Sequence, residues 1–473
     1  MRKNLIVWLQ AVVAMCLTQA TSAGLLEDIG YTALAELLGT ALPTGELATI
    51  DQTEASNAPE GQPLRYFVNG SLSSFPNTLV VDQSGINSTE FSSHANSVAQ
   101  RIGGTASQLP DLMQIDVYEA NDWLNKVLRR ATRFEPVSGT GQVANHSWRG
   151  AAEDTADNID ILQRLDWLVV EDDYFQAIGI GAVSESIIFA HAMNGVVVEN
   201  TGSTSSMKTI AINDIYTAGR SAVHIVTPDV NSSTATGVVS SSAMLLKQIF
   251  TGLDLPSVLL KAVLMAGAER ETSNSQDDDI QNYGSVPSLN GLDYRYGAGQ
   301  LNILNSYHIL AATEQSPGSS INYEGYDLQE DFGLPAQISV YPFSTGSRHA
   351  EIFVSLVWNL NLNLQAGPFN PNPVLYNLNL ELFDVTGGGE VLLASSDSAI
   401  DNSENLWVPL AANRQYELRV SHHETSAFAW PYAIAWRIVE IANTENVQIP
   451  LLPLPALAGL FVALCWLRYR QTF

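Results

Sequence analysis

Asn231-Ser232-Ser233-Thr234-Ala235-Thr236-Gly237-Val238-Val239-Ser240-Ser241-Ser242-Ala243-Met244-Leu245-Leu246 is the stretch on which the fold turns. A serine hydroxyl at the start of a helix sits where oriented backbone N–H groups favour developing negative charge, which is the setting a nucleophile needs. A Ser/Thr-rich connector ahead of an ordinary helix is the plainer reading. What separates the two is a partner. It lies 139 residues earlier, in Ser93-His94-Ala95-Asn96-Ser97-Val98-Ala99-Gln100-Arg101-Ile102-Gly103-Gly104, a histidine opening a helix of small residues. Alone, a histidine there is more often a capping or surface residue; with a helix-opening serine it becomes a candidate base beside a candidate nucleophile.

These segments resemble those of the subtilisin-like serine proteases, the subtilases. The family's serine motif, G-T-S-x-A-T-P-x-V-S-G-x-x-A-L-L, lays its nucleophile on Ser233, with Ala235, Thr236, Val239, Ser240, Ala243, Leu245 and Leu246 agreeing. The histidine motif, H-G-T-x-V-A-x-I-I-G, lays the base on His94. Gly219–Pro228 tracks the strand G-R-x-K-P-D-I-V-A-P, Asn145-His146-Ser147-Trp148-Arg149-Gly150 looks like the N-x-S-x-G strand lining the substrate cleft, and Tyr296-Gly297-Ala298-Gly299 resembles the segment before the domain's last helix. The resemblance implies an α/β fold with a parallel sheet flanked by helices, and puts Ser147, Trp148 and Gly150 in the cleft. For the triad acid it offers two positions. Gly45–Ala55 resembles the first core strand and lays Glu54 on the aspartate; Asp82, in Val80-Val81-Asp82-Gln83-Ser84-Gly85, is the alternative, with only 12 residues left before His94 for an intervening strand. Glu54 is preferred on that spacing, and a carboxylate one methylene longer can still accept the imidazole N–H.

The chain also departs from the family. An oxyanion-hole asparagine is expected after the central strand, and that place reads Ala177-Ile178-Gly179-Ile180-Gly181-Ala182-Val183, with Gly181 at the position of the lost amide. Loss of this donor in subtilisin costs about 10²–10³ in turnover. Asn194 belongs to the next strand-like segment and reads as structural. Asn231 and Ser232 replace Gly-Thr, Gly237 replaces proline, and no inhibitory prodomain fits between Ala23 and the first core strand. A serine endopeptidase and a catalytically impaired pseudoprotease acting as a surface-binding protein are therefore both open.

The ends point to export. Arg2 and Lys3 precede an uncharged run from Leu5 to Leu17 and small residues up to Ala23, the pattern of a signal peptide over residues 1–23. Residues 447–473 hold an apolar stretch followed by Arg468 and Arg470, long enough for a transmembrane anchor; with Pro453-Leu454-Pro455 it resembles PEP-CTERM sorting tails, whose partner would be a sorting enzyme of the cell envelope. Cys16 and Cys465 lie in these ends, leaving none between for a disulfide. All 49 acidic residues but only 18 of the 22 basic ones fall in residues 24–446, a net charge of −31 that disfavours nucleic acid as a partner.

Between the ends, residues 24–315 mix strand-like and helix-like runs, with Leu168–Val170, Phe175–Ile180 and Gly195–Val198 as strands and Ala156–Leu165, Ser240–Ile249 and Leu301–Ala312 as helices. Residues 316–446 alternate apolar and polar residues between turns and read as a β-sandwich. Asp277-Asp278-Asp279 could hold calcium, but lacks the glycine-punctuated spacing of a dedicated loop; no histidine spacing marks a metal site, and no cofactor is required. The expected partner is a polypeptide substrate.

Overall fold

The computed structural model describes residues 24–56, 58, 62–86, 90–180, 188–201, 219–270, 283, 287–364 and 368–441. The segments 1–23 and 447–473, Gly181 and Asp277–Asp279 lie outside them.

Seven strands form one sheet: β1 (Thr49–Glu54), β2 (Leu79–Asp82), β3 (Gln114–Glu119), β4 (Val143–His146), β5 (Phe175–Gly179), β6 (Val196–Asn200) and β7 (Ile225–Thr227). Their order is β2-β3-β1-β4-β5-β6-β7, and every neighbouring pair is parallel. Parallel strands need crossovers, and the crossover helices cover both faces. Side chains alternate between the faces. Ile50, Ile115, Val117, Ala177 and Val198 pack with α2 (Ser93–Gly103), α5 (Ser232–Ile249) and α6 (Ser257–Ala266), helped by α1 (Tyr31–Leu38) and α7 (Ile303–Ala311). Ala144, Ile178, Val197 and Val226 pack on the other face with Trp123 of α3 (Ala120–Lys126) and Ile161 and Leu165 of α4 (Thr155–Glu171). This is the architecture that the subtilase resemblance implied.

One expectation fails. Leu168–Val170, read as a strand, is the last turn of α4. A short apolar run does not distinguish a buried strand from a buried helix, and here Leu162, Leu165, Leu168 and Val169 continue the helical spacing that faces the core.

Helix α5 is rich in serine and threonine yet almost wholly buried. Its hydroxyls find acceptors inside the fold: Thr236 Oγ1 donates to the Ser232 carbonyl at 2.7 Å and Ser240 Oγ to the Thr236 carbonyl at 2.9 Å. The Gln108 amide reaches Ser241 and Ser242. Polar groups satisfied in this way remove most of the cost of burying such a sequence.

On the α3–α4 face, Asp51 of β1 stands opposite Asp116 of β3, both fully buried. Asp51 accepts hydrogen bonds from the Tyr174 hydroxyl and from the Gly141 N–H at 3.1 Å; Asp116 accepts from Thr140, Gln83 and Gln114. Burial, with the neighbouring Asp116 charge as a smaller contribution, pushes the Asp51 carboxyl up to about 7 from 3.8. An acid whose folded pKa is raised binds more protons in the folded state, so its contribution to stability is complete below pH 4 and is lost as pH rises through 7. Asp51→Asn should therefore flatten the fall in thermal midpoint between pH 4 and 8. A variant that keeps the wild-type slope over that interval would assign the slope to another group.

Beyond α7 the chain is all β. Strands β8 (Glu324–Phe332), β10 (Ala350–Trp358), β15 (Ser403–Leu410) and β17 (Trp430–Glu440) form one antiparallel sheet; β9 (Ser339–Ser344), β13 (Leu378–Asp384), β14 (Val391–Ser396) and β16 (Gln415–His422) form a second; β11 (Asn361–Leu364) and β12 (Pro371–Val374) make a separate hairpin. Trp358, Tyr341, Leu380, Leu418 and Trp436 fill the sandwich interior. The two halves are joined through packed contacts: Val357, Ala433 and Ala435 enter the core around α6, and Arg437 donates from Nη2 to the Ala268 carbonyl at 2.9 Å. Asn194 spans the junction, its Oδ1 accepting from Leu360 N–H at 2.7 Å and its Nδ2 donating to the Leu360 carbonyl at 3.2 Å.

Candidate active site

Strand β1 ends on Glu54, which is 1% exposed, at the edge of the sheet where the strands give way to helices. Helix α2 begins next to it. Ser92 caps that helix by accepting the Ala95 N–H at 3.2 Å, so His94 sits in the first turn. Glu54 Oε2 lies 2.7 Å from His94 Nδ1, while the imidazole remains 41% exposed. The second carboxylate oxygen is held as well: Gln52 Nε2 donates to Glu54 Oε1 at 2.8 Å. The hydrogen bond and charge of Glu54 raise the His94 pKa above 6.5, outweighing partial burial.

Asp82 stands elsewhere. It ends the edge strand β2, two strands from Glu54, and its Oδ1 accepts from the Tyr66 hydroxyl at 2.6 Å and from the Ser84 and Gly85 N–H groups. It is a turn-forming acid beside a tyrosine, whereas Glu54 is the carboxylate that the structure brings to His94.

Ser233 is the second residue of α5, half-buried, behind the cap in which Asn231 accepts the Thr234 N–H at 2.9 Å. The end of β4 is fixed alongside it. Ser147 Oγ lies 2.8 Å from both the Ser233 carbonyl oxygen and Asn145 Oδ1, and Asn145 Nδ2 donates to Ser240 Oγ at 3.0 Å. The serine-bearing and histidine-bearing helices are locked together. Arg101 of α2 pairs with buried Asp229, just ahead of α5, at 2.7 Å. A Cβ on Gly237 would come within 2.9 Å of Arg101 Cβ and 3.0 Å of the Val98 carbonyl oxygen. Glycine at 237, where subtilases carry proline, therefore sets the spacing of the two helices. Gly237→Val should cost about 1–3 kcal/mol through overpacking and move α2 off α5. An unchanged denaturant midpoint would show that the contact gives way freely.

Trp148 and Gly150 continue from Ser147. With Ala55, Leu124, Ile161 and Ile188 they help to line a cavity of about 160 Å³ that begins one residue beyond Glu54. The Trp148 indole N–H donates to His146 Nδ1 at 3.3 Å, and its ring packs edge-on against Phe189. His146 is fully buried, and burial lowers its pKa to about 4, so it is a neutral acceptor and orients the tryptophan. The place expected for an oxyanion amide, Gly181, lies outside the described residues. Just ahead of that segment, the Gln176 side-chain amide lies 2.7 Å from His146 Nε2 through its Oε1 and donates to the Tyr174 carbonyl.

Two features escaped the sequence reading: the Gln52 bridge and the His146 support for Trp148. The first had a signal. Asp51-Gln52-Thr53-Glu54 puts four consecutive polar residues in a strand that is buried on both faces, and buried polar groups need assigned partners.

No family model matches the chain, and no curated protein matches it. Among solved structures, MycP1 with its N-terminal propeptide removed is 14% identical over 58% of this chain and 96% of that one, with a TM-score of 0.35. A second MycP1 structure, titled a serine protease and essential component of the type VII (ESX-1) secretion system, is 14% identical over 57% and 87%, with a TM-score of 0.31. PliG of Aeromonas hydrophila, a periplasmic inhibitor of g-type lysozyme, is 12% identical over 27% of this chain and 96% of its own, at 0.17. These likenesses are too distant to carry function.

Proposed function

We propose that the protein is an exported serine endopeptidase in which Glu54, His94 and Ser233 form the triad and a polypeptide is the substrate. The observation that carries the reading is the buried Glu54 carboxylate held 2.7 Å from a half-exposed imidazole, on a helix braced against the one that Ser233 opens. In this mechanism Ser233 Oγ attacks the peptide carbonyl carbon as its proton passes to His94 Nε2. The C–N bond breaks, His94 gives that proton to the departing amine, and the product is a Ser233 ester. Water then attacks the ester carbonyl carbon, losing a proton to His94; the acyl C–Oγ bond breaks, His94 returns that proton to Ser233 Oγ, and the acid is released. Glu54 keeps the Nδ1–H tautomer and stabilises the imidazolium. The helix α5 N-terminus supplies backbone N–H groups for the oxyanion. The signal-like and anchor-like ends support an envelope location, with the tail held in the membrane or passed to a sorting enzyme.

The second reading is a pseudoprotease that binds partners at a surface. It is favoured by the lack of an amide side chain in the Ala177–Val183 segment. Fluorophosphonate labelling decides between the two: the wild-type chain should be labelled and Ser233→Ala should not, whereas a folded wild type that never reacts supports the pseudoprotease.

A further inference from the structure

We infer that Gln52 is a positioning residue that fixes the triad carboxylate against the helix carrying the base, an inference that rests on the protease reading for its catalytic meaning. Gln52 is fully buried in β1, two residues before Glu54 and on the same face of the sheet. Its Nε2 donates one proton to Glu54 Oε1 at 2.8 Å and the other to the Ala95 carbonyl at 3.0 Å. Ala95 follows His94 directly. One amide nitrogen thus joins the acid to the first turn of the helix that presents the base.

The chemistry of the neighbours fixes which end of the amide faces them. A carboxylate oxygen and a backbone carbonyl are both acceptors, so only the NH₂ end can serve, and the opposite rotamer would set three acceptors together. The need for such a brace follows from the glutamate. One methylene longer than aspartate, it has an additional rotatable bond, and a single contact to His94 Nδ1 leaves its carboxylate free to turn. Held at Oε1 by Gln52 and at Oε2 by His94, it has one orientation. The hydrogen bond and charge of the carboxylate so held raise the His94 pKa.

Gln52→Met keeps the length and removes both donors. The expected result is a drop of about 10–100-fold in the fluorophosphonate labelling rate, the range found where outer partners orient metal ligands, together with a fall in the His94 pKa toward 6.5 as Glu54 turns away. Loss of stability alone would lower the thermal midpoint and leave the His94 titration unmoved. The inference is overturned if the folded variant keeps the wild-type labelling rate and His94 titration. If the variant does not fold, the wild type provides the test: the Gln52 side-chain NH₂ resonances of the full chain should shift with the same midpoint as the His94 ring protons, and resonances insensitive to that titration overturn the inference. A wild type that is never labelled refutes the protease reading, while the two NMR measurements still decide whether Gln52 sets the Glu54–His94 pair.

Discussion

Ser233→Ala should abolish covalent labelling by a fluorophosphonate while leaving the unfolding free energy within about 1 kcal/mol of wild type. The small structural effect follows from how the fold uses Ser233. Its backbone carbonyl, not its hydroxyl, meets Ser147, and the cap of α5 is made by Asn231 and Thr234. Removing Oγ therefore deletes the atom that would form the bond to phosphorus and spares the contacts that hold the helix start. The neighbouring Ser232 is the internal control. It is 7% exposed and its carbonyl accepts the Thr236 hydroxyl, so it serves the helix. Ser232→Ala should keep the label. If labelling persists in Ser233→Ala and vanishes in Ser232→Ala, the nucleophile has been placed one residue out of register. If both variants label like wild type, the probe is reporting another hydroxyl and α5 carries no nucleophile.

How far the sequence reached is clearest at this helix and at β1. The Ser/Thr-rich opening of α5 was legible because a helix start, a hydroxyl and an apolar continuation coincide in one local stretch. The parallel sheet was legible for a similar reason, since β2, β3, β4 and β7 are each followed along the chain by a helix, α2, α3, α4 and α5. The strand reading of Leu168–Val170 failed because a three-residue apolar run contains no period; the helical spacing appears only when Leu162 and Leu165 of the same helix are read with it. Spacing favours Glu54 over Asp82, since 12 residues leave little room for a strand before His94; what the sequence does not state is that β2 is an edge strand and β1 is central, a fact about pairing. The Gln52 bridge is hidden for the same reason, because its acceptors are one residue on its own strand and one residue 43 positions later.

Glu54→Gln tests the pair most severely, because Gln52 removes the variant's freedom to adapt. The Gln52 NH₂ group needs an acceptor at the site now held by Glu54 Oε1. The substituted side chain can provide one only by turning its carbonyl oxygen toward Gln52, which aims its own NH₂ at His94 Nδ1. The imidazole must then accept at Nδ1 and carry its proton on Nε2, the nitrogen that has to receive the serine proton. A tautomer switch of this kind costs about 10⁴ in turnover in a serine protease triad, so kcat should fall by that order while KM stays close to wild type. The pH dependence should change as well. In the wild type the Glu54 hydrogen bond and charge raise the His94 pKa above 6.5; the base works only when neutral, so activity rises with pH through that raised value. The ion pair's contribution to stability runs the other way, complete below the unfolded histidine pKa and lost as pH rises through the folded one. Glu54→Gln removes the charge and the acceptor together, and both the acidic limb of activity and the His94 ring-proton titration should move down to 6.5 or below. Glu54→Asp separates charge from reach: it keeps the anion but shortens it by one methylene, so His94 should retain part of its raised pKa while the Gln52 contact is lost. A Glu54→Gln enzyme within tenfold of wild-type kcat, with an unmoved His94 titration, would mean that this carboxylate does not hold the base.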